Sequence, residues 1–461
     1  MSLSDEILYG TKAKVIKLLK QGVEVDEIDK YGFTPLIEAT LMNKNDIAEL
    51  LIDQKASVSL RDATGNSPLH WAVENNNIPL CQLYLEHKAD PNAYNYSAQP
   101  VLAFPLLRGQ KKLKQLLYQY GGDLNFAQDY IHLKLLGHRY ELNGQVHIVT
   151  PSERMILLDF EGFFLEFTLG IIQDSLTRYQ NHYTAKHLRN YFNHLKKIIN
   201  ALKVASELVK YRHYTVNIEK FSDQINPLLI KKDPLILPIA YEGHAITWVR
   251  FENWFIKCDR NETNNIGVAI YRMKNPDRLT PEFYKYLLYQ KHNENFVLNG
   301  IDQALELQFI TELPMTPQTA GNCSWANVEA CVPALMMLLL MKQQLSTNID
   351  DIKKEVMDFY RQWHEWDQDR AIEQILHYFI PASEARQASY AAALAAVLFQ
   401  RCNSKVPRDL QHAKKILKIL TTTKYQYILK SYIEVYWEKN KTAEGKNLMK
   451  LLEIIKPAGW F

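Results

Sequence analysis

The chain has few cysteines, no long apolar run and almost no net charge, and each shortage removes a class of protein. Five cysteines in 461 residues, Cys81, Cys258, Cys323, Cys331 and Cys402, are too scattered, and odd in number, for a disulfide framework; they fit a reducing compartment. The longest apolar run, Cys331 to Met341, falls well short of the roughly 20 residues that cross a bilayer as a helix. No membrane span is expected. The amino-terminal segment from Met1 to Glu6 is neither basic nor apolar, so no cleaved secretory signal is expected and any export would take another route. Lys and Arg number 54 against 51 Asp and Glu, a net charge of +3, too balanced for a dedicated nucleic-acid surface. No glycine-rich phosphate loop is present. His138, His147, His182, His187 and His194 show no zinc-like spacing and have no cysteine nearby. Neither cofactor nor metal is therefore expected.

What the chain does have is ordinary globular material, 47% hydrophobic and 23% charged, with length for two or three domains. Its amino-terminal quarter is periodic. Gly22, Lys55, Lys88 and Gly121 stand 33 residues apart, as do Leu18, Leu51, Tyr84 and Leu117. A fixed period of this length means stacked helical repeats. Gly32-Phe-Thr-Pro-Leu36 and Gly65-Asn-Ser-Pro-Leu-His70 open two of them. There Thr34 or Ser67 can cap a helix whose first turn takes a proline. His70 and Trp71 occupy framework helix positions and read as core.

Beyond the repeats the chain becomes α+β. Leu135 to Leu142, Val146 to Val149 and Met155 to Asp159 read as short strands, and Phe160 to Leu176 as a strand extension or a helix start. Ala185 to Leu208 is amphipathic at helical spacing. Leu235 to Phe251 reads as a strand containing His244, Glu252-Asn253 as a turn, and Trp254 to Asp259 as the returning strand. If Phe251 pairs with Trp254, positions in register sum to 505, and Asp259 comes one diagonal step from His244 on the same face. Downstream, Cys323 stands at a glycine-bearing turn before an apolar helical run, where backbone amides and the helix dipole favour a thiolate. Pro333 should kink that helix or start a second one. Gln318, five residues before Cys323, can offer its amide to an oxyanion. From Ser324 onward almost everything reads as helix. Lys405, Arg408, Lys414, Lys415 and Lys418 fit a solvated helical face, and Met449 to Phe461 is compatible with a carboxy-terminal export signal.

Two family resemblances rest on these residues. Thr34-Pro-Leu, Ser67-Pro-Leu-His and Ala89-Asp-Pro-Asn92 resemble the ankyrin consensus, which implies a protein-binding module with loop tips such as Tyr31 and Asn66 at its surface. Asn92 also resembles the asparagine that asparaginyl hydroxylases of animal cells recognise in ankyrin repeats. Gly243-His-Ala245, Lys257-Cys-Asp-Arg260 and Gln318 to Cys323 resemble cysteine protease-like folds in which His, Asp, Gln and Cys occur in that order, as in ubiquitin-like-protein proteases and adenovirus protease. The resemblance implies His244 as general base, Asp259 as its orienter, Gln318 as oxyanion donor and Cys323 as nucleophile. The Gln to Cys spacing of five, where six is commoner, and Ser324 in place of glycine depart from the pattern.

The pairing resembles ankyrin-bearing effectors of bacterial type IV secretion. The expected architecture is an α+β multidomain chain: an all-α ankyrin solenoid of about four repeats over 1–128, a papain-like or Ulp-like cysteine protease-like α+β domain over 129–345, and a helical carboxy-terminal region, 346–461, packed on it. The resemblance implies a monomer delivered into the host cytosol or nucleus, binding a host protein through its repeats and hydrolysing a peptide, isopeptide or acyl bond. The alternative is a non-catalytic scaffold in which Cys323 is one more buried thiol and His244 a satisfied strand histidine.

Overall fold

The computed structural model describes residues 2–460 apart from 232, 242, 262–266, 344–347 and 459. Met1, Gly459 and Phe461, which belong to the terminal segments read above, lie outside the described residues.

Four helix pairs follow the 33-residue step: α1 (Leu3–Tyr9) with α2 (Lys12–Lys20), α3 (Pro35–Leu41) with α4 (Asn45–Asp53), α5 (Pro68–Glu74) with α6 (Ile78–Glu86), and α7 (Ala103–Leu107) with α8 (Lys111–Gln119). Their starts are chemical. Thr34 Oγ1 accepts the Ile37 N–H at 3.3 Å, and His70 Nδ1 accepts the Ser67 N–H at 3.2 Å. Burial lowers the His70 pKa to about 4, which keeps the imidazole a neutral acceptor. One turn device recurs at the repeat period. Asp29, Asp62 and Asn95 each accept the N–H groups two and four residues ahead, at 2.8 to 3.0 Å, which folds each loop into an Asx turn.

Helix α9 (Leu124–Arg139) corrects an expectation. The stretch beginning at Leu135 is not a strand, because Leu133, Leu136 and Tyr140 recur at spacings of three and four and are all buried, which is the helical period. Strands β1 (Gln145–Val149) and β2 (Met155–Asp159) do form, as an antiparallel hairpin. Phe160 starts no strand; the helix α10 (Leu165–Asn181) follows. A 3₁₀ segment, Tyr183–Tyr191, takes the first part of the expected amphipathic helix, and α11 (Phe192–Lys210) takes the rest, followed by α12 (Ser222–Leu229).

The main sheet comes next: β3 (Leu235–Tyr241), β4 (His244–Phe251), β5 (Trp254–Cys258) and β6 (Val268–Met273), then α13 (Pro281–Tyr289), α14 (Ile301–Leu305) and β7 (Leu307–Glu312). The strands are antiparallel in the order β3-β4-β5-β6-β7. Helix α15 (Cys323–Gln343) packs on β4, β5 and β6. It is one helix that runs through Pro333, so the second helix considered there does not form. The helix is buried from Ser324 to Leu340, so tertiary packing outweighs the local cost of proline. By length and composition α15 could cross a bilayer, yet 94% of its most apolar window is buried in protein. Leu237, Ile239, Ile246, Trp248 and Phe255 of the sheet join a core with Leu208, Leu229, Tyr284 and Leu287. The remainder is helical: α16 (Ile349–Phe379), α17 (Glu384–Arg401), α18 (Pro407–Leu420), α19 (Gln426–Ile433) and α20 (Ala443–Ile455).

The chain divides into two units. The first holds Met1–Lys134, Gln145–Asp159 and His377–Phe461; the second holds Leu135–Gly144 and Phe160–Leu376. Within the first unit, Asp129 of α9 accepts Arg386 Nε at 2.6 Å and Nη2 at 2.7 Å, together with the Tyr390 hydroxyl. This buried, bidentate contact fastens α17 to α9. The second unit contains the sheet, α15 and every residue of the candidate site.

Candidate active site

The β4–β5 hairpin has the register that its two-residue turn dictates: Phe251 faces Trp254, and the pairing runs to Thr247 opposite Cys258. Beyond that point the strands part. His244 sits at the start of β4 and Asp259 just past the end of β5, and His244 Nε2 lies 2.8 Å from Asp259 Oδ1. Asp259 is buried, with its own N–H held by the Gly267 carbonyl at 2.7 Å.

Cys323 is the first residue of α15. The turn before it needs glycine at 321, where φ is +75° and a Cβ would come within 2.4 Å of the Glu161 side chain; both conditions exclude other residues. The Gly321 carbonyl accepts the Gly162 N–H at 3.0 Å. Asn322, next to Cys323, is buried, and its Oδ1 lies 2.6 Å from His138 Nδ1. His138 thus holds the turn that precedes Cys323. Among the described residues no group of three or more His, Cys, Asp or Glu is placed to hold a metal.

The His244 imidazole and the Cys323 thiol each favour the charged form of the other. Nε2 is committed to Asp259, which leaves Nδ1 as the nitrogen available to the sulfur. The Asp259 hydrogen bond, and next the Cys323 one, raise the His244 pKa to about 9. Burial of Cys323 opposes ionisation, but the bond from His244 and the backbone N–H groups of Ala245 and Ser324 outweigh it and bring the thiol below its ordinary value. The combination favours a thiolate–imidazolium pair. The other four cysteines are buried, and burial pushes the thiols of Cys81, Cys258, Cys331 and Cys402 upward.

Gln318 is held by its main chain, its N–H donating to the Arg260 carbonyl at 2.8 Å. Its side-chain Oε1 is buried with no partner among the described residues, and no contact ties the side chain to Cys323. The structure therefore brings His244, Asp259 and Cys323 together and anchors the Gln318 segment beside the acid strand. Two residues that sequence reasoning missed join them. Asn327, four residues along α15, donates Nδ2 to the Ala245 carbonyl at 2.7 Å and accepts the Arg260 N–H on Oδ1 at 2.8 Å. Arg260 Nε donates to the Thr316 carbonyl at 2.8 Å, and Nη2 pairs with Glu141 at 3.0 Å. A lone asparagine one turn past Cys323, in an apolar helix, was the available signal.

The residues proposed for ankyrin recognition differ among themselves. Tyr31 is exposed at a loop tip, with Lys30 Nζ 4.9 Å from the centre of its ring. Asn66 is half-buried and accepts Asn95 Nδ2 on its Oδ1 at 3.0 Å. Asn92 links two repeats, Nδ2 donating to the Gly121 carbonyl at 2.9 Å and Oδ1 accepting the Asp123 N–H at 2.7 Å.

Helix pairs with recurring Asx turns define an ankyrin-repeat protein, here joined to a mixed α/β unit that carries Cys323 and a hydrogen-bonded His244–Asp259 pair. Residues 6–95 match the ankyrin-repeat family in three copies. The BCL-6 corepressor-like protein 1 of Homo sapiens is 32% identical over 107 residues, 23% of this chain and 6% of that protein. An ankyrin repeat protein of fowlpox virus is 30% identical over 131 residues, 27% of this chain and 38% of that protein. The chain thus spans less than two fifths of either relative, and the likeness to them extends over no more than about a quarter of its own length. The solved structure of the Legionella effector AnkH is similar over the whole chain, with 41% identity, a TM-score of 0.87 and 98% of that chain covered. The chain belongs to the AnkH family of ankyrin-repeat effectors.

Proposed function

We propose that this chain is an effector delivered by a bacterium into a host cell through type IV secretion, where its repeats hold a host protein and Cys323 acts as the nucleophile of a cysteine protease-like hydrolase. The observation that carries the reading is the Asp259–His244 hydrogen bond at 2.8 Å, with His244 favouring the thiolate of Cys323 at the first residue of a helix. In this reading the thiolate attacks a carbonyl of a peptide, isopeptide or acyl group. The S–C bond forms as the carbonyl electrons move to oxygen, where the amide of Gln318 and the N–H of Cys323 are the candidate donors. His244 returns its Nδ1 proton to the leaving group as the C–N or C–O bond breaks, leaving a thioester. His244 then takes a proton from water, whose oxygen displaces Cys323. Asp259 orients the ring throughout.

The scaffold reading keeps one observation of its own, the exposed ring of Tyr31 at a repeat tip. The full chain, its Cys323→Ala variant and its Tyr31→Ala variant separate the two readings when host-protein binding and hydrolysis of a ubiquitin-like or acyl reporter are both measured. Hydrolysis lost in Cys323→Ala with binding kept supports the hydrolase. Unchanged hydrolysis in Cys323→Ala refutes it. We also propose Asn92 as a site of host asparaginyl hydroxylation, detectable as the added mass of one oxygen atom on the peptide containing it.

A further inference from the structure

The place where β4 and β5 part has a simple register, and the register exposes what replaces the sheet there. In an antiparallel hairpin closed by a two-residue turn, the residues flanking the turn exchange both backbone hydrogen bonds, and so does every second pair after them. Phe251 and Trp254 flank the turn here, so Val249 with Ile256 and Thr247 with Cys258 are bonded pairs. The next would be Ala245 with Arg260. That rung is absent, although both residues are buried. A buried rung leaves two N–H and two C=O groups that need other partners.

Three of the four bond to segments of the site, and the fourth, the Ala245 N–H, favours the thiolate of Cys323. The Arg260 carbonyl accepts the N–H of Gln318 at 2.8 Å. The remaining two groups, the Ala245 carbonyl and the Arg260 N–H, are those that would have bonded each other. Asn327 stands between them, at 2.7 and 2.8 Å. A carboxamide carries one donor end and one acceptor end, the same complement as a peptide group, so it splices into the ladder where the backbones have separated.

We propose that Asn327 is a positioning residue of the Cys323 site: its carboxamide replaces the missing rung between Ala245 and Arg260, and so fixes the strand of His244, the strand of Asp259 and the nucleophile helix at one spacing. The inference rests on the reading of Cys323 as a nucleophile paired with His244. Several alternatives fail at this position. Asp would set a carboxylate against the Ala245 carbonyl; Leu has the volume but neither polar end; Ser is too short to span both strands. The width of the fork matters because it sets the approach of Nδ1 and of the Ala245 N–H to the sulfur. A wider fork removes two of the interactions that favour the thiolate.

The test is the pH profile of Cys323 alkylation by iodoacetamide in the full-length chain, with Cys323→Ala as the background. Wild type, Asn327→Leu and Asn327→Ser are compared, with thermal melts alongside. Wild type should react in its thiolate form well below the ordinary cysteine range. Both variants should move the profile toward that range, lowering the rate at pH 6 by about tenfold for each unit of displacement. A residue that only fills the core would lower the melting temperature and leave the profile of the surviving folded protein unchanged; that result overturns the proposal. Should Asn327→Leu fail to fold, Asn327→Ser, which leaves a small gap and a hydroxyl, is read in its place. A wild-type profile already in the ordinary range overturns the nucleophile reading itself, and is distinguished by appearing before any change at residue 327.

Discussion

Replacing Asp129 with leucine should destabilise the first unit more than any exposed charge change could. The carboxylate is almost fully buried, receives two guanidinium hydrogen bonds from Arg386 at 2.6 and 2.7 Å and also binds the Tyr390 hydroxyl. Removing one partner of a buried ion pair leaves the other uncompensated, which costs about 3–5 kcal/mol. The Arg386 side chain retains 18% exposure, so its charge can recover some hydration and the low end applies. The stranded Tyr390 hydroxyl adds about 1 kcal/mol or more. With a urea m value of about 3 kcal/mol per molar for a unit of this size, the midpoint should fall by about 1–1.5 M. Equilibrium unfolding followed by far-UV circular dichroism measures it. The companion variant Asp129→Leu with Arg386→Met removes both charges, and should recover at least half of the loss because neither charge is then left alone. A single variant that unfolds within about 0.3 M of wild type would refute the claim that this pair fastens α17 to α9.

Three further predictions concern the site and the repeats. Gly321→Ala sets a side chain on a left-handed residue and within 2.4 Å of Glu161; it should cost about 1–3 kcal/mol and cut labelling of Cys323 by a thiol-directed activity probe, measured by intact-protein mass spectrometry. His244 is raised from 6.5 to about 9, so the native state favours its protonated form. That contribution is complete below pH 6.5 and disappears as pH rises through about 9. The stability gap between wild type and His244→Ala should therefore narrow over that interval in chemical denaturation, and a gap that widens would contradict the pairing. Asn92→Ala removes two inter-repeat hydrogen bonds and should lower stability by about 1–3 kcal/mol, seen as faster amide exchange at Asp123.

The repeats were legible because their information is local and repeated: a period of 33, a capping Thr or Ser, a proline in the first turn. The hairpin register was legible for a related reason, since a two-residue turn at Glu252-Asn253 leaves only one way to count along both strands. The same counting brought Asp259 to His244. Where a segment was ambiguous locally, tertiary contacts decided. Leu135 to Leu142 is short and apolar enough to suggest a strand, but it continues a helix begun eleven residues earlier at Leu124. Pro333 was read by its intrinsic cost, which burial of the surrounding helix overrides. Asn322 with His138, 184 residues apart, and Asn327 with Ala245, 82 residues apart, depend on how distant segments pack together. No spacing in the sequence encodes that.

The order of segments along the chain has a consequence during synthesis. All the residues of the second unit have been made once Leu376 has emerged from the ribosome, whereas the first unit waits for its last segment, which begins at His377. Until α17 arrives, its counterparts on α9 and β1, Asp129, Val146 and Ile148 among them, lack the helix that packs against them in the finished fold. The nascent chain thus carries helix pairs at its leading end with an unfinished apolar seam. Its closure comes late in synthesis, and that interval is when a holding chaperone would find most to bind.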